Sequence, residues 1–273
     1  MPGGTQPAGA FPSLGVSAVF LRRFVAGREA ELAGLTTAEV CESVVRPRTG
    51  SSSAAELAAA EEGGGRLAAR ATVFVSHARR CEFLGLVDAV LGLDEEDTFF
   101  WLDVFSVAQN VAVQRPRDWW TTTFRDAIGG IGRTVLVLAP WSAPVAITRA
   151  WCLWEVLATS STGARLDVRL PAAEEAAFQT ALVEDFDSIA RSLAGVDVRK
   201  AQAHHDSDRD MILSAVEAAE GGAQAINEAV LSELRAWLAE SGRSALERLP
   251  KEERATSALQ NNLAGLLKDQ GKL

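Results

Sequence analysis

RTVLVLAP, residues 133–140, is the stretch that decides the fold, because it contains the clearest buried strand in the chain. Its Val-Leu-Val-Leu core is a short continuous apolar run, which is typical of a strand that is covered on both faces. A predicted helix, TRAWCLWEVLATSSTG (148–163), follows it along the chain. A further predicted strand, ARLDVRLP (164–171), comes directly after that helix.

The same alternation of strand and helix extends upstream of this stretch. ATVFVSH (71–77) and DTFFWLDVF (97–105) are predicted strands, and CEFLGLVDAVLGL (81–93) and WWTTTFRDAIGGIG (119–132) have helical spacing and separate them from the next strand. Strands joined by single helices indicate right-handed crossovers and a parallel sheet with helices on both faces. In such a sheet, ligands bind outside the carboxyl ends of the strands.

Downstream of residue 171 the alternation continues less regularly. VDVRKAQA (196–203) is the only strand-like segment there, and helical patterns surround it. They are AAFQTALVEDFDSIARSLAG (176–195), HHDSDRDMILSAVEAAEGG (204–222) and AINEAVLSELRAWLAESG (225–242).

The first 65 residues are predicted to be an N-terminal extension and linker that is partly helical. Residues 1–16 are rich in Gly, Pro and Ala and should be loose. Residues 16–45 suggest two short amphipathic helices, the second starting in a capping box from Thr36 to Glu39. An Ala/Glu helix ending at Gly63–Gly65 comes next, so we place a domain boundary near Gly65.

Composition excludes several classes of function. The formal net charge of −9 over 273 residues supplies no broad basic surface, so nucleic acid is not expected as a partner. Cys41, Cys81 and Cys152 are odd in number and widely spaced, which argues against a disulfide framework and a cysteine zinc site. No apolar run reaches about 18 residues and no signal peptide is evident, so we expect a cytoplasmic protein without membrane contact.

A metal site is not expected either. The sequence places His204 and His205 next to Asp206, Asp208 and Asp210. Adjacent side chains diverge, and this spacing has no established ligand geometry. A solvated loop before a helix is the better interpretation, and no metal or cofactor is predicted.

Glu155 is the residue most suited to chemistry, because it is the one acid in AWCLWEVLA (150–158). On a helix, Trp151 lies one turn from Glu155 on the same face. The helix follows a buried strand, which predicts a place near the ligand edge of the sheet. A carboxylate there can face the positive charge that develops when a glycosidic bond breaks. The alternative is that Glu155 pairs with an arginine such as Arg149 or Arg133.

Four segments, in this order and at these distances, resemble a Toll/interleukin-1 receptor (TIR) domain. They are TVFVSHARR (72–80), FFWLDVF (99–105), TVLVLAPWSAPVAITRAWCLWEVLA (134–158) and ARLDVRLP (164–171). The helix of this family carries tryptophan-x-x-x-glutamate, which Trp151 and Glu155 match. In plant members that helix commonly reads serine-x-tryptophan-cysteine-leucine-x-glutamate, and this chain has AWCLWE at 150–155.

The resemblance implies a flavodoxin-like α/β fold over residues 70–240, with a parallel sheet of about five strands. In many members it also implies hydrolysis of NAD⁺ at the nicotinamide–ribose bond. Glu155 would then be the catalytic residue, and Trp151 would form the wall beside it. Nicotinamide leaves as a neutral molecule, so one carboxylate that stabilises the ribosyl cation is sufficient. Ser76, His77 and Arg79 fall where family members contact the nucleotide.

The sequence also departs from the family pattern. The loop after the second strand usually carries a glycine, helps to close the site and builds assemblies, but residues 105–120 contain none. Trp119 and Trp120 could supply an aromatic lid, although such a pair at a helix start is more often part of the core. Asp103 is interpreted as a structural cap or turn acceptor.

Residues 245–273 resemble the first helix of a kinesin-light-chain-type tetratricopeptide (TPR) repeat. The residues that carry this likeness are Asn261, Asn262, Leu263, Leu266, Leu267 and Gln270–Gly271–Lys272. Leu259, Leu263, Leu266 and Leu267 have helical spacing and form a leucine stripe that we expect to be exposed. Half a repeat is unstable alone, so we expect the chain to be the N-terminal part of a longer protein.

Two functions follow from these resemblances. The first is an intracellular TIR-type module that hydrolyses NAD⁺ and is activated by self-association through TIR surfaces. The alternative is a non-enzymatic TIR-type interaction module in a scaffold protein whose TPR region recruits protein partners.

Overall fold

The computed structural model describes residues 10–93, 97–111, 119–193, 195–203, 205–218, 221–254 and 258–269. The chain forms two compact units. The first comprises Met1–Val137 and Ala158–Leu166, and the second comprises Leu138–Leu157 and Asp167–Leu273.

Six strands form one sheet in the order β2-β1-β4-β3-β5-β6. The strands are β1 (Leu14–Ser17), β2 (Ala68–Arg70), β3 (Val73–Ser76), β4 (Phe99–Trp101), β5 (Arg133–Val137) and β6 (Arg165–Arg169).

Helices occupy most of the remaining described chain. The α-helices are α1 (Ala18–Val25), α2 (Glu29–Leu32), α3 (Thr37–Val40), α4 (Arg46–Thr49), α5 (Ala54–Ala60), α6 (Phe83–Leu91), α7 (Asp103–Ser106), α8 (Arg125–Ile131), α9 (Ala150–Ser161), α10 (Ala172–Glu184), α11 (Phe186–Leu193), α12 (Asp206–Ala218), α13 (Gly222–Arg248), α14 (Lys251–Arg254) and α15 (Ala258–Asp269). Short π-helical segments span Cys41–Val45 and Trp120–Phe124, and 3₁₀ turns span Gly64–Arg66 and Ala146–Thr148.

The α/β class is as expected, but the prediction of a purely parallel sheet of about five strands was wrong. Strand β3 does pair in parallel with β4 and β5. Strand β1, however, pairs antiparallel with both β2 and β4. Strand β1 lies within residues 1–65, the segment expected to be a partly helical extension and linker, and β2 follows that segment directly. That segment therefore contributes to the sheet.

A close backbone approach explains how β1 fits beside β4. A Cβ atom at Gly15 would lie 2.8 Å from the carbonyl carbon of Phe100 and 2.9 Å from its oxygen. Only glycine avoids this overlap without moving the strand. The four residues of β1 are too few to display a recognisable alternation, which is why the pattern did not reveal it.

The core of the first unit lies on both faces of the sheet. Val75 of β3 is aligned with Val135 of β5, and both belong to a large buried cluster that also contains Phe83 and Phe105. Side chains alternate along a strand, so Phe74 faces the other way. Its ring stacks on that of Trp101 of β4, with 4.8 Å between centroids.

Local signals for helix ends are confirmed. Thr36 and Glu39 form the predicted capping box at the start of α3, with each side chain accepting from the other residue's backbone N–H. Helix α8 ends at Ile131 and is capped by Gly132, whose φ of 80° is left-handed. The end of this helix therefore matches the end of the helical pattern predicted for residues 119–132.

The second unit is mainly helical, and it corrects two expectations. Residues 196–203 are not a strand; Gln202 makes only an isolated bridge to Arg149. The leucine stripe is not wholly exposed, because Leu259 is 0 % and Leu263 is 4 % exposed. Leu263 packs at Gly242 of α13, where a Cβ would lie 2.6 Å from its Cδ2. The side chains of residues 265–269 lie outside the described part.

Within the described ranges, no helix is both long and apolar enough to cross a membrane.

Replacing Gly15 by Ala tests the place of β1 in the sheet. The new Cβ would overlap the backbone of Phe100, so we expect the free energy of unfolding to fall by about 1–3 kcal/mol, measured by urea denaturation. Gly65 has open space where a Cβ would stand. Gly65→Ala, the matched control, should change stability by no more than about 0.5 kcal/mol. Equal stability of both variants would contradict the pairing of β1 with β4.

Candidate functional site

The candidate residues in the first unit gather where β3 and β4 end. The two strands are parallel neighbours, so their carboxyl ends share one edge of the sheet. His77 and Arg79 follow β3, and Asp103 follows β4. These three residues and Gln109 are called the Arg79 cluster below.

Asp103 holds the Arg79 cluster together. Arg79 Nε donates to Asp103 Oδ2 at 2.6 Å, and the backbone N–H of Val104 donates to Oδ1 at 2.7 Å. Gln109 Nε2 donates to the Asp103 carbonyl oxygen at 2.6 Å, while its Oε1 accepts from Arg79 Nη2 at 3.2 Å. Asp103 was predicted to be a cap or turn acceptor, but α7 has no side-chain cap, and the carboxylate serves instead as the ion-pair partner of Arg79.

The electrostatics of the Arg79 cluster favour a fixed ion pair. Burial alone would raise the pKa of Asp103, but Arg79 and His77 together hold that pKa below its usual value. In return, the negative charge of Asp103 raises the pKa of Arg79. The side chain of Arg79 is 41 % exposed, and that of Asp103 is 31 % exposed. The guanidinium that the resemblance assigns to nucleotide contact is therefore already engaged within the fold.

His77 is buried beside this ion pair. Its side chain is 3 % exposed, and Nε2 lies 3.7 Å from Asp103 Oδ1. Nε2 has no hydrogen-bond partner among the described residues. Burial lowers the pKa of His77, against the opposing effect of Asp103. The imidazole is therefore neutral at physiological pH.

Amide side chains anchor the first part of the loop after β4, up to Asn110. Asn110 Nδ2 donates to the carbonyl oxygens of Arg46 at 2.7 Å and Gly50 at 2.9 Å. Gln109 accepts from Cys41 Sγ at 3.3 Å. Burial raises the pKa of that thiol, so Cys41 is a packed donor and not an activated nucleophile. The sequence analysis missed Gln109 and Cys41, and only the absence of glycine in this loop pointed to an unusual turn.

Two other predicted contacts in the first unit are buried. Ser76 is 0 % exposed at the end of β3, and Trp119 is 9 % exposed. The ring of Trp119 lies 6.2 Å from that of Phe124 between centroids. Trp119 therefore belongs to the core and not to a lid. A core position was the alternative that the sequence left open. The side chain of Trp120 lies outside the described part of the chain.

Trp151 and Glu155 lie in the second unit, on α9. Both are half-buried, whereas Cys152, Leu153 and Trp154 are buried. Cys152 therefore belongs to the core. Trp151 and Glu155 thus share the side of the helix that reaches solvent, as their spacing predicted.

Hydrogen bonds fix the start of α9 and its first indole. The backbone N–H of Ala150 donates to the Gln202 carbonyl oxygen at 3.0 Å, and that of Gln202 donates to Thr148 at 2.8 Å. Trp151 Nε1 donates to Asp208 Oδ2 at 3.3 Å. Asp208 belongs to α12, which begins at Asp206, so the three acids that the sequence placed in a loop before the helix lie in its first turns instead. His204 lies outside the described residues.

A separate cleft of about 190 Å³ lies in the second unit between α10 and α13. The rings of Phe178 and Trp237 stack at 5.0 Å in its lining. Glu175 and Glu240 also line it, but Trp151 and Glu155 do not. This cleft therefore contains none of the residues that the sequence indicates for ligand binding.

Comparison of the chain with protein-family models, curated proteins and solved structures gives no match. In the described ranges, no group of three or more His, Cys, Asp or Glu side chains could hold a metal ion.

Among the predicted site residues, the structure brings Ser76, His77 and Arg79 together in the first unit. It places Trp151 and Glu155 together in the second.

The burial of His77 predicts a pH dependence of stability. Its folded pKa lies below the ordinary value of 6.5. The stabilisation is therefore complete above pH 6.5, and it is lost as the pH falls below 6.5 towards the folded pKa, because the unfolded state takes up the proton first. The slope should approach about 1.4 kcal/mol per pH unit, measured by urea denaturation between pH 7 and 5.

His77→Gln should remove most of this slope. His205→Gln is the matched control, because His205 is exposed, and it should retain the slope. A slope in His77→Gln equal to that of the unaltered protein would contradict a buried neutral imidazole.

Proposed function

We propose that this chain is a TIR-type signalling module that hydrolyses NAD⁺ at the nicotinamide–ribose bond and is activated by self-association. The observation that carries the proposal is the half-buried carboxylate of Glu155, one helical turn from the half-buried indole of Trp151. Support also comes from the resemblance of residues 70–170 to TIR domains. The flanking residues of α9 are buried, so the site faces outward from a packed helix.

The chemistry needs little from the protein beyond charge and shape. When the bond between the ribose C1′ and the pyridinium nitrogen breaks, its electron pair stays on the nitrogen and neutral nicotinamide leaves. The positive charge moves to the ribosyl group, which is attacked by water and releases a proton. A carboxylate at the Glu155 position stabilises that cation, and partial burial makes the attraction stronger than it would be in water.

The remaining residues take roles that the resemblance implies. Trp151 provides a flat apolar wall on which an aromatic pyridinium can rest, favoured by the attraction between a cation and an indole face. For His77 and Arg79, which lie in the first unit, the resemblance implies contacts to the nucleotide; Asp103 and Gln109 already engage part of the Arg79 guanidinium.

A specific observation favours the alternative function, a non-enzymatic interaction module. Arg79 is held by Asp103 and Gln109, and Trp119 is buried. Arg79 and Trp119, two of the predicted substrate contacts, therefore already have structural roles within the first unit. In this alternative the same fold would present docking surfaces, and the TPR-like region at residues 245–273 would bind protein partners.

Replacing Glu155 by Gln tests the enzymatic proposal. The amide keeps the shape of the side chain but removes its charge, so release of nicotinamide from NAD⁺ should fall by about 100-fold or more. Free nicotinamide is measured by chromatography over a series of protein concentrations. Glu217 is an exposed acid on α12, and Glu217→Gln is the matched control that should keep full activity.

Equal turnover by the unaltered protein and Glu155→Gln would remove Glu155 from the mechanism. Absence of turnover at every concentration would favour the interaction module. A specific activity that stays constant over the concentration series would contradict activation by self-association.

A further inference from the structure

Asp208 differs from the other acids at the start of α12. Asp206 and Asp210 are exposed, whereas Asp208 is half-buried. Acids in the first turn of a helix are commonly explained by the helix dipole, and that explanation covers Asp206. It does not explain why Asp208 turns inward and accepts the indole N–H of Trp151 at 3.3 Å.

The backbone around Asp208 is tied to the start of α9. Arg209, the next residue, donates to the carbonyl oxygens of Ala201 at 3.1 Å and Arg199 at 3.0 Å. The adjoining Gln202 exchanges backbone hydrogen bonds with Thr148 and Ala150. The contact between Asp208 and Trp151 closes this circuit of hydrogen bonds.

A closed circuit of this kind restricts the indole. A half-buried tryptophan can occupy several rotamers, and each rotamer turns the face of its ring in a different direction. An acceptor held at Nε1 selects one of them, because only that rotamer makes the hydrogen bond. The exposed part of the ring then keeps a constant direction relative to Glu155.

We propose that Asp208 is a positioning residue that holds Trp151 as the resting face for the pyridinium ring of NAD⁺. The identity of this ligand rests on the proposed function. Asp208 acts through Trp151 and not on the reacting atoms. Its loss should therefore weaken binding of the dinucleotide, whereas the cleavage step, which depends on Glu155, changes little.

Two substitutions separate the hydrogen bond from the charge. Asp208→Asn keeps an oxygen that can accept from the indole, and Asp208→Leu removes the acceptor. We expect Asp208→Leu to raise KM by about tenfold with kcat changed less than about threefold. Asp208→Asn should stay within about threefold of the unaltered protein in both constants. Asp210→Leu is the matched control on the same helix and should leave KM unchanged.

Several results would overturn the proposed role of Asp208, and each can be told from the others. An unchanged KM in Asp208→Leu would overturn the proposal, and so would a fall in kcat alone. Asp208→Asn behaving as badly as Asp208→Leu would show that charge matters instead of the hydrogen bond, and would overturn it as well. Melting temperatures of all variants identify a loss that comes only from unfolding, which would also count against the proposal.

Calorimetric titration with NAD⁺ separates this inference from the proposed function. If the unaltered protein binds NAD⁺ but releases no nicotinamide, the enzymatic proposal fails. The role of Asp208 then stands only if Asp208→Leu weakens binding about tenfold and Asp208→Asn does not. If the unaltered protein does not bind NAD⁺ at all, both proposals are overturned.

Discussion

A charged side chain that is half-buried must find a partner, and this constraint decides the arrangement of polar groups in both units. An unpaired buried charge costs several kcal/mol. In the first unit, Asp103 meets the requirement by accepting from Arg79 and from the backbone of Val104. In the second, Asp208 accepts from Trp151. In each case an acid fixes the direction of a side chain that the sequence suggests for ligand binding.

The two acids nevertheless have different consequences for function. Asp103 occupies part of the guanidinium of Arg79 and lies beside a neutral His77, so it reduces the positive charge that this edge of the sheet offers to a phosphate. Asp208 accepts from the N–H at the edge of the indole ring of Trp151, so it orients an aromatic side chain and does not neutralise a cation. We therefore propose that the site for a cation lies in the second unit, at Trp151 and Glu155. The Arg79 cluster in the first unit is better interpreted as a structural turn.

Much of the central sheet could be predicted from sequence, because β3, β4 and β5 are apolar runs separated by helical patterns. Helix ends were predictable as well, since Thr36, Glu39 and Gly132 act on neighbouring residues. Strand β1 was not, because its four residues show no period and its place depends on the approach of Gly15 to Phe100. The burial of Leu263 depends on Gly242 in another helix.

The candidate site residues, like the strands and helices, could be predicted where the signal lies in neighbouring residues and not where it depends on residues far away in sequence. Glu155 stood out because its own neighbours are apolar, and Trp151 because it lies one turn away. Gln109 and Asp208 gave no such signal, since their partners lie 30 and 57 positions away in sequence. A hydrogen bond between distant residues leaves no periodic trace in one sequence.

The most direct test of the central claim is a crystal structure of the Glu155→Gln variant with NAD⁺ bound. The account predicts that the ribose C1′ lies opposite the side chain of residue 155 and that the pyridinium ring rests on the indole of Trp151. A dinucleotide bound in the cleft beside Trp237, or anywhere that leaves residue 155 away from the ribose, would contradict it.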